Sequence, residues 1–467
     1  MRLKQILQNF SFTIASNFLT LLISTIVILI VPKIIGVYEY GLWQLFIFYS
    51  SYVGILHFGW LDGIYLRYGG SSYEDLDKGI FKSQYIFLLG SQTVFAIAIS
   101  VISYFLLDGN LKNIIYSISI LIVIVNLKTY FQFILQLTNR ILEYAMSNFI
   151  STIAYAIVLI LFIFLGVRDY RFYIFSYILG QVFALIYCLV ICRDIVNSKS
   201  RVTWYSSYIE IKTNLDVGIK LVLSNVAGML IIGIVRFGIQ YGWNVSTFGK
   251  ISLVLSISNL LMVFVGSISL VLFPMLRRVN SERINGVYNS VRDILMPIIF
   301  IGMLVYFPIK TYIPLWLPKY NSALVYMSIL FPMVAYQAKF EALSNTFLKV
   351  LRMERQLMFI NIVTLILSFI LTLISVGILH NLTLTILVII IVMSMRSVIS
   401  EWYINQKLRI SFFSEILMES MIVGIFMLGT WYLSIEDAFI VYLIALVIYM
   451  VIKYAGIKDA IKYVKHI

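Results

Sequence analysis

The chain has 467 residues, of which 61% are hydrophobic and only 12% charged. Soluble domains carry about 25% charged residues, so the composition excludes an ordinary soluble enzyme or binding module and makes lipid the main solvent. A formal net charge of +14 would point a soluble protein toward nucleic acid. Here the cations sit mostly between apolar runs, where they orient a membrane protein and meet anionic lipid, and no nucleic-acid partner is expected.

In lipid every backbone N–H and C=O must find a partner within the protein, which leaves helices or a closed barrel as spanning structures. The apolar runs are long and nearly unbroken, unlike the roughly 10-residue alternating strands of a barrel. The expected fold class is therefore an all-α polytopic membrane protein. In chain order we expect about fourteen spans, near 11–35, 41–66, 82–107, 112–137, 144–166, 171–192, 216–238, 247–273, 293–310, 322–348, 357–379, 383–405, 412–433 and 437–453. The first run is longer than the core of a secretory leader and lacks a small-residue cleavage site, so it is expected to stay as a span.

Alternate loops differ in charge. One set holds Arg2, Lys4, Arg67, Lys78, Lys82, Arg140, Arg193, Lys199, Arg201 and Lys212. It continues with Arg277, Arg278, Arg283, Arg292, Lys349, Arg352, Arg355, Lys407, Arg409 and the basic tail. The other set holds only Lys33, Lys112, Arg168, Arg171, Arg236, Lys310 and Lys319. The basic side is expected in the cytoplasm, with both termini, in a bacterial cytoplasmic membrane.

A long-period repeat organises the chain. Ser16-Asn17 is followed by Tyr40-Gly41, and Ser224-Asn225 by Phe248-Gly249 at the same spacing, with one apolar helix between. Asn148 and Asn361 share a second register. An even number of helices lies between the copies, which gives two parallel six-helix repeats. The expected division is an N-terminal bundle over 1–198, a linker over 199–213, a C-terminal bundle over 214–408, and two extra spans with a tail over 409–467.

The run Pro32-Lys33-Ile34-Ile35-Gly36-Val37-Tyr38-Glu39-Tyr40-Gly41 resembles the first-loop signature of polysaccharide transporters, and Arg236 to Gly249 with Pro274 resembles their second half. The chain thus resembles the multidrug/oligosaccharidyl-lipid/polysaccharide (MOP) flippase superfamily, in its Wzx-type branch of O-antigen and capsule repeat-unit flippases. One position departs: the acid that often precedes the arginine is Val235 here. The resemblance implies translocation of a polyprenyl-diphosphate-linked oligosaccharide from the inner to the outer leaflet. It implies a central cavity between two halves, opened alternately to each side, no cofactor, and contact with a polysaccharide polymerase.

A sugar diphosphate crossing hydrocarbon needs polar walls and cations, and charges inside spans default to functional hypotheses. Lys128 is mid-span, with Gln132 and Gln136 one and two turns on. The repeat sets it against Glu341, which has its own stripe with Gln337 and Asn345. These stripes are expected as cavity walls, or as a structural Lys–Glu pair. Lys339 points away from Glu341, toward the cavity or another helix. Arg396 is a candidate phosphate contact, or an arginine tied to backbone carbonyls. Arg236 and Lys33 are candidates for head-group contact, against interfacial snorkelling. Asp62, near His57, and Glu341 are candidates for coupling a proton or sodium ion; Asp62 alternatively pairs with Arg67. Asn17 and Asn225 are read as interhelical hydrogen-bonding residues, Gly41 and Gly249 as repeat landmarks, and Pro297 and Pro332 as hinges. The Gly59–Gly63 and Gly238–Gly242 spacings permit close packing. Cys188 and Cys192 lack the His or acidic company a metal would need, so no metal is expected.

Competing readings are another flippase or a drug/cation antiporter of the same superfamily, a small-solute transporter, and a membrane polymerase or transferase. A transporter of the third kind would want broken helices, which are not evident in the sequence. An enzyme would want a large external loop or a His/acid constellation, and the chain has only 3 His.

Overall fold

The computed structural model describes residues 21–199, 202–276, 284–410 and 413–465. Among these, eleven helices are long and apolar enough to cross a membrane, or twelve with one bent pair counted as a span. The chain is an all-α polytopic membrane protein. The expected count of fourteen differs for physical reasons: the first span begins outside the described residues, and the second is broken into short helices.

The chain divides into two compact units, Met1–Val226 and Ala227–Ile467. The first contains α1 (Leu21–Ile35), α2 (Val37–Ser50), α3 (Trp60–Tyr68), α4 (Lys78–Leu106), α5 (Gly109–Leu137), α6 (Ile141–Phe164) and α7 (Tyr170–Ile191). The division falls inside α8 (Trp204–Gly242), so the stretch expected as a linker over 199–213 is helical from Trp204 onward. Asp77 caps α4 by accepting from Gly79 and Ile80 N–H, and Asp169 caps α7 through Arg171 N–H. Short Asx side chains satisfy orphan donors at helix starts in this way.

Between α2 and α3 the chain leaves the α-helix. A tight 3-10 turn covers Val53–His57, and Phe58 and Gly59 are left-handed at φ 50 and 87. Broken backbone in a span is tolerated only when other groups replace the lost hydrogen bonds. Two buried amides do so: Asn126 Nδ2 donates to Val53 O at 3.2 Å, and Gln92 Nε2 donates to Leu56 O at 3.1 Å. The pair is itself joined, Asn126 Nδ2 to Gln92 Oε1 at 2.6 Å. A broken helix, not evident in the sequence, is therefore present in the first unit.

The break also lets α8 approach α3 at backbone distance. A Cβ built on Gly218 would lie 1.9 Å from Gly59 O, and one on Gly63 would lie 1.9 Å from Asn214 O. Small residues permit this closeness between membrane helices. The Gly238–Gly242 spacing does similar work in the second unit, where added Cβ atoms would meet Thr372 Cγ2 at 2.5 Å and Val376 Cγ1 at 2.7 Å.

The second unit contains α9 (Val245–Leu276), α10 (Ile284–Met303), α11 (Tyr306–Trp316), α12 (Pro318–Leu324) and α13 (Met327–Val350), the last two bent by 53°. It continues with α14 (Glu354–Ile378), α15 (Leu382–Leu408), α16 (Phe413–Tyr432) and α17 (Ile435–Lys465). The two extra C-terminal helices pack firmly on this bundle. Phe426 of α16 lies against Tyr306 at 5.0 Å and Tyr442 at 4.9 Å between ring centroids, and Tyr442 donates to Phe300 O at 2.8 Å. Edge-to-face aromatic pairs of this kind add to plain burial.

Candidate functional site

In the first unit, Lys128 of α5 is largely enclosed, and its Nζ donates to Gln181 Oε1 of α7 at 2.6 Å. One turn on, Gln132 Nε2 donates to Ser147 Oγ at 2.8 Å and Asn148 Oδ1 at 2.9 Å, both on α6. The polar stripe read in the sequence is thus a seam shared by α5, α6 and α7. Its cation has a neutral amide as partner.

The second unit also holds a cation among three consecutive helices, here on the third of them rather than the first. Arg396 of α15 is 6% exposed. Its guanidinium donates twice to Asn361 Oδ1 of α14, at 3.1 and 2.8 Å, and stacks 3.6 Å from the ring centroid of Phe340 on α13. Among the described residues it makes no ion pair, although the Glu341 charge acts on it from further off. The Asn148–Asn361 register therefore marks amides that sit beside the buried polar seam in each unit.

Two other buried cations have a different environment. Lys339 and Arg292 meet Glu401 and Glu419 in a quartet drawn from α13, α10, α15 and α16, each side chain at most 4% exposed. Lys339 Nζ lies 2.6 Å from Glu401 and 2.5 Å from Glu419, and Arg292 Nε lies 2.9 Å from Glu419. Sequence reading assigned Arg292 to a basic loop; the helix begins at Ile284, so Arg292 is well inside it. Of the two readings of Lys339, cavity or another helix, the structure favours the second: two carboxylates of α15 and α16 hold it. Two positive and two negative charges cancel, which is how buried ions persist in a low-dielectric interior.

Glu341 accepts from Asn345 Nδ2 at 3.0 Å. Both lie in a wide π-turn over Lys339–Asn345, a distortion frequent at functional sites. Asp62 lies in the first turn of α3, with an oxygen 3.7 Å from His57 Nδ1. That nitrogen accepts from Gly59 N–H at 3.2 Å. Arg67 does not turn to Asp62; it pairs with Glu210 and donates to Asn214 Oδ1 at 2.6 Å. Arg236 is half-buried, donating to Ser252 Oγ at 3.0 Å and lying over the Phe248 ring. Lys33 is exposed at the end of α1.

Asn225 is exposed on α8 and makes no hydrogen bond to a neighbouring helix among the described residues, and Asn17 lies outside them. Gly41 and Gly249 are buried, as are Pro297 within α10 and Pro332 within α13. Among the described residues no group of three or more His, Cys, Asp or Glu is placed to hold a metal.

No family model matches the sequence, and no curated protein matches it. Solved structures do. An inward-facing multidrug-resistance MATE-family transporter of the MOP superfamily superposes with a TM-score of 0.65 at 10% identity, over 84% of this chain and 98% of that one. The fold is that of the MOP-superfamily transporters. A MATE structure in the straight conformation matches at TM-score 0.57 and 12% identity, over 86% of this chain and 94% of its own. The lipid II flippase MurJ, in an inward closed conformation, matches at 0.57 and 14%, over 96% of this chain and 98% of its own. The MOP fold therefore extends over nearly the whole chain. The 4% left uncovered by the flippase match is too little to omit α16 and α17 together.

Proposed function

We propose that the protein is a flippase for a polyprenyl-diphosphate-linked oligosaccharide, working by alternating access in cell-surface polysaccharide assembly. The observation that carries this reading is the contrast among intramembrane cations, of which Arg292, Lys339 and Arg396 are buried and Lys128 partly so. Arg292 and Lys339 are neutralised by carboxylates, whereas Lys128 and Arg396 are held by the neutral amides of Gln181 and Asn361. A buried cation without a carboxylate partner is costly. It is sustained when an anion visits it, and a diphosphate head group is such an anion. Gln132 and Asn148 supply neutral donors and acceptors beside Lys128 that suit sugar hydroxyls.

The resemblance of Pro32–Gly41 to the polysaccharide-transporter signature supports the O-antigen, capsule or exopolysaccharide cargo, and charge asymmetry supports a cytoplasmic membrane with both termini inside. The MATE-like reading, export of a drug or cation, is favoured by the higher superposition score. The fuller coverage by a flippase fold with its C-terminal helices and the cationic seams favour a lipid-linked anion.

Export of an anion from a cell that is negative inside runs downhill by about 2.3 kcal/mol per charge per 100 mV. Asp62 and Glu341 are the carboxylates available if a proton or sodium ion couples instead. Reconstitution into liposomes with a fluorescent polyprenyl-diphosphate oligosaccharide tests the reading: leaflet transfer supports it, and export of small cations without glycan transfer replaces it with the antiporter.

A further inference from the structure

Five helix ends of the second unit meet around an open cavity of about 1100 Å³. α9, α13 and α15 finish there, and α10 and α14 begin there. Convergent helix ends mark the membrane–water boundary, the depth of lipid phosphates. Lys349, Arg352, Lys407 and Arg409 line the cavity, with Glu354 as the one carboxylate among its lining residues and Asn285 beside it. Asn285 Nδ2 donates to Leu408 O at 3.0 Å, which fastens the start of α10 to the end of α15.

Basic residues after a helix C-terminus often do no more than answer its exposed carbonyls. Two features go beyond that here. Arg352 and Arg409, one after each helix end, are both left-handed, at φ 56 and 54. Glycine ordinarily fills such a position because it has no Cβ to clash; the chain places an arginine in both. Moreover, none of the four cations makes an ion pair or side-chain hydrogen bond among the described residues, although they share one cavity. Non-glycine residues held in this backbone region cluster at functional sites, and a cluster of unpaired cations attracts anions.

We propose that this cavity binds the phosphate of a lipid head group, with Arg352 and Arg409 offering guanidinium forks and Lys349 and Lys407 supporting charge. The basic pocket between membrane helices is the form such sites take. Two sources share the chemistry, a bulk anionic phospholipid and a lipid-linked diphosphate. The inference needs neither transport nor the identity of the cargo, so its failure would leave the transport reading standing.

The test uses the full-length protein in detergent, with bound lipid counted by native mass spectrometry and thermal unfolding followed in parallel. The probes are phosphatidylglycerol, a polyprenyl diphosphate, phosphatidylcholine and inorganic diphosphate. One or both anionic lipids should bind and raise the unfolding midpoint, while phosphatidylcholine does not. Binding of phosphatidylglycerol alone identifies a bulk-lipid site; binding of the polyprenyl diphosphate alone identifies a cargo-loading site. In Arg352→Gly/Arg409→Gly the affinity should fall about tenfold for each charge-assisted hydrogen bond lost. The lipid-free midpoint should hold or rise, because glycine suits both backbones. Lys349→Gln/Lys407→Gln, which leaves the backbone untouched, should weaken binding in the same direction. The proposal is overturned if neither lipid outbinds phosphatidylcholine, if only inorganic diphosphate binds, or if both double variants bind as wild type does.

Discussion

Lys339 Nζ lies 2.5 Å from Glu419 Oε2. That contact ties α16 to α13, and with Arg292 and Glu401 it makes a charge-balanced knot inside the second unit. The knot explains why α16 belongs to the bundle rather than hanging from it. It also sets apart Lys128 and Arg396, mid-span cations held by the neutral amides of Gln181 and Asn361.

Removing one member of the knot leaves an unpaired buried charge. Glu419→Ala should therefore destabilise the protein by about 3–5 kcal/mol, while Lys339→Met/Glu419→Leu, which removes a cation and an anion together, should recover most of that loss. Thermal unfolding in detergent reads both. Equal midpoints for wild type and Glu419→Ala would show that the knot contributes nothing to stability.

The α3–α8 crossing has no room for a side chain. Gly218→Leu places a carbon 1.9 Å from Gly59 O, so it should abolish or severely reduce folded protein. The cost exceeds the roughly 1–3 kcal/mol of ordinary overpacking, because backbone rather than a side chain must move. Gly424→Leu, where nothing lies within 4 Å, is the control and should express normally. Matched yields by size-exclusion chromatography would contradict the close crossing.

The break before α3 depends on Asn126 and Gln92. Asn126→Leu strips Val53 O of its donor and should cost about 1–3 kcal/mol, the penalty for a buried unsatisfied carbonyl. Hydrogen exchange should rise locally over 51–59. Unchanged protection there would mean that the amides do not support the break.

Much of the fold was legible because apolar length alone marks a span: α4 to α7 and α14 to α17 begin and end within a few residues of the expected edges, apart from the longer end of α17. The break at 51–59 was not, since a helix can lose its hydrogen bonds without any fall in hydrophobicity. Its visible signal was indirect, two amides in apolar helices that needed partners. Lys128, Gln132 and Arg396 stood out as polar residues in mid-span, but their partners on other helices did not. Nothing in one sequence pairs Arg292 with Glu419, 127 residues away. Arg292 looked like a loop residue because Arg277, Arg278 and Arg283 precede it.

Residues that serve cargo rather than fold should trade stability against activity. Lys128→Leu and Arg396→Leu should match or exceed wild-type thermal stability, yet lower transfer of lipid-linked glycan at least about tenfold, or ~1.4 kcal/mol. Arg396→Lys should not rescue transfer, because a lysine cannot keep both the Asn361 fork and the stack on Phe340. Variants that lose stability in step with activity would reassign both cations to the fold.

The most direct test is leaflet transfer in proteoliposomes under an imposed potential, with a polyprenyl-diphosphate oligosaccharide loaded on the negative side. Wild type should move the lipid, faster as the potential grows, and Lys128→Leu/Arg396→Leu should not at equal reconstitution. Wild-type protein that moves no lipid-linked glycan, but expels a small cation in exchange for protons or sodium, would contradict the account.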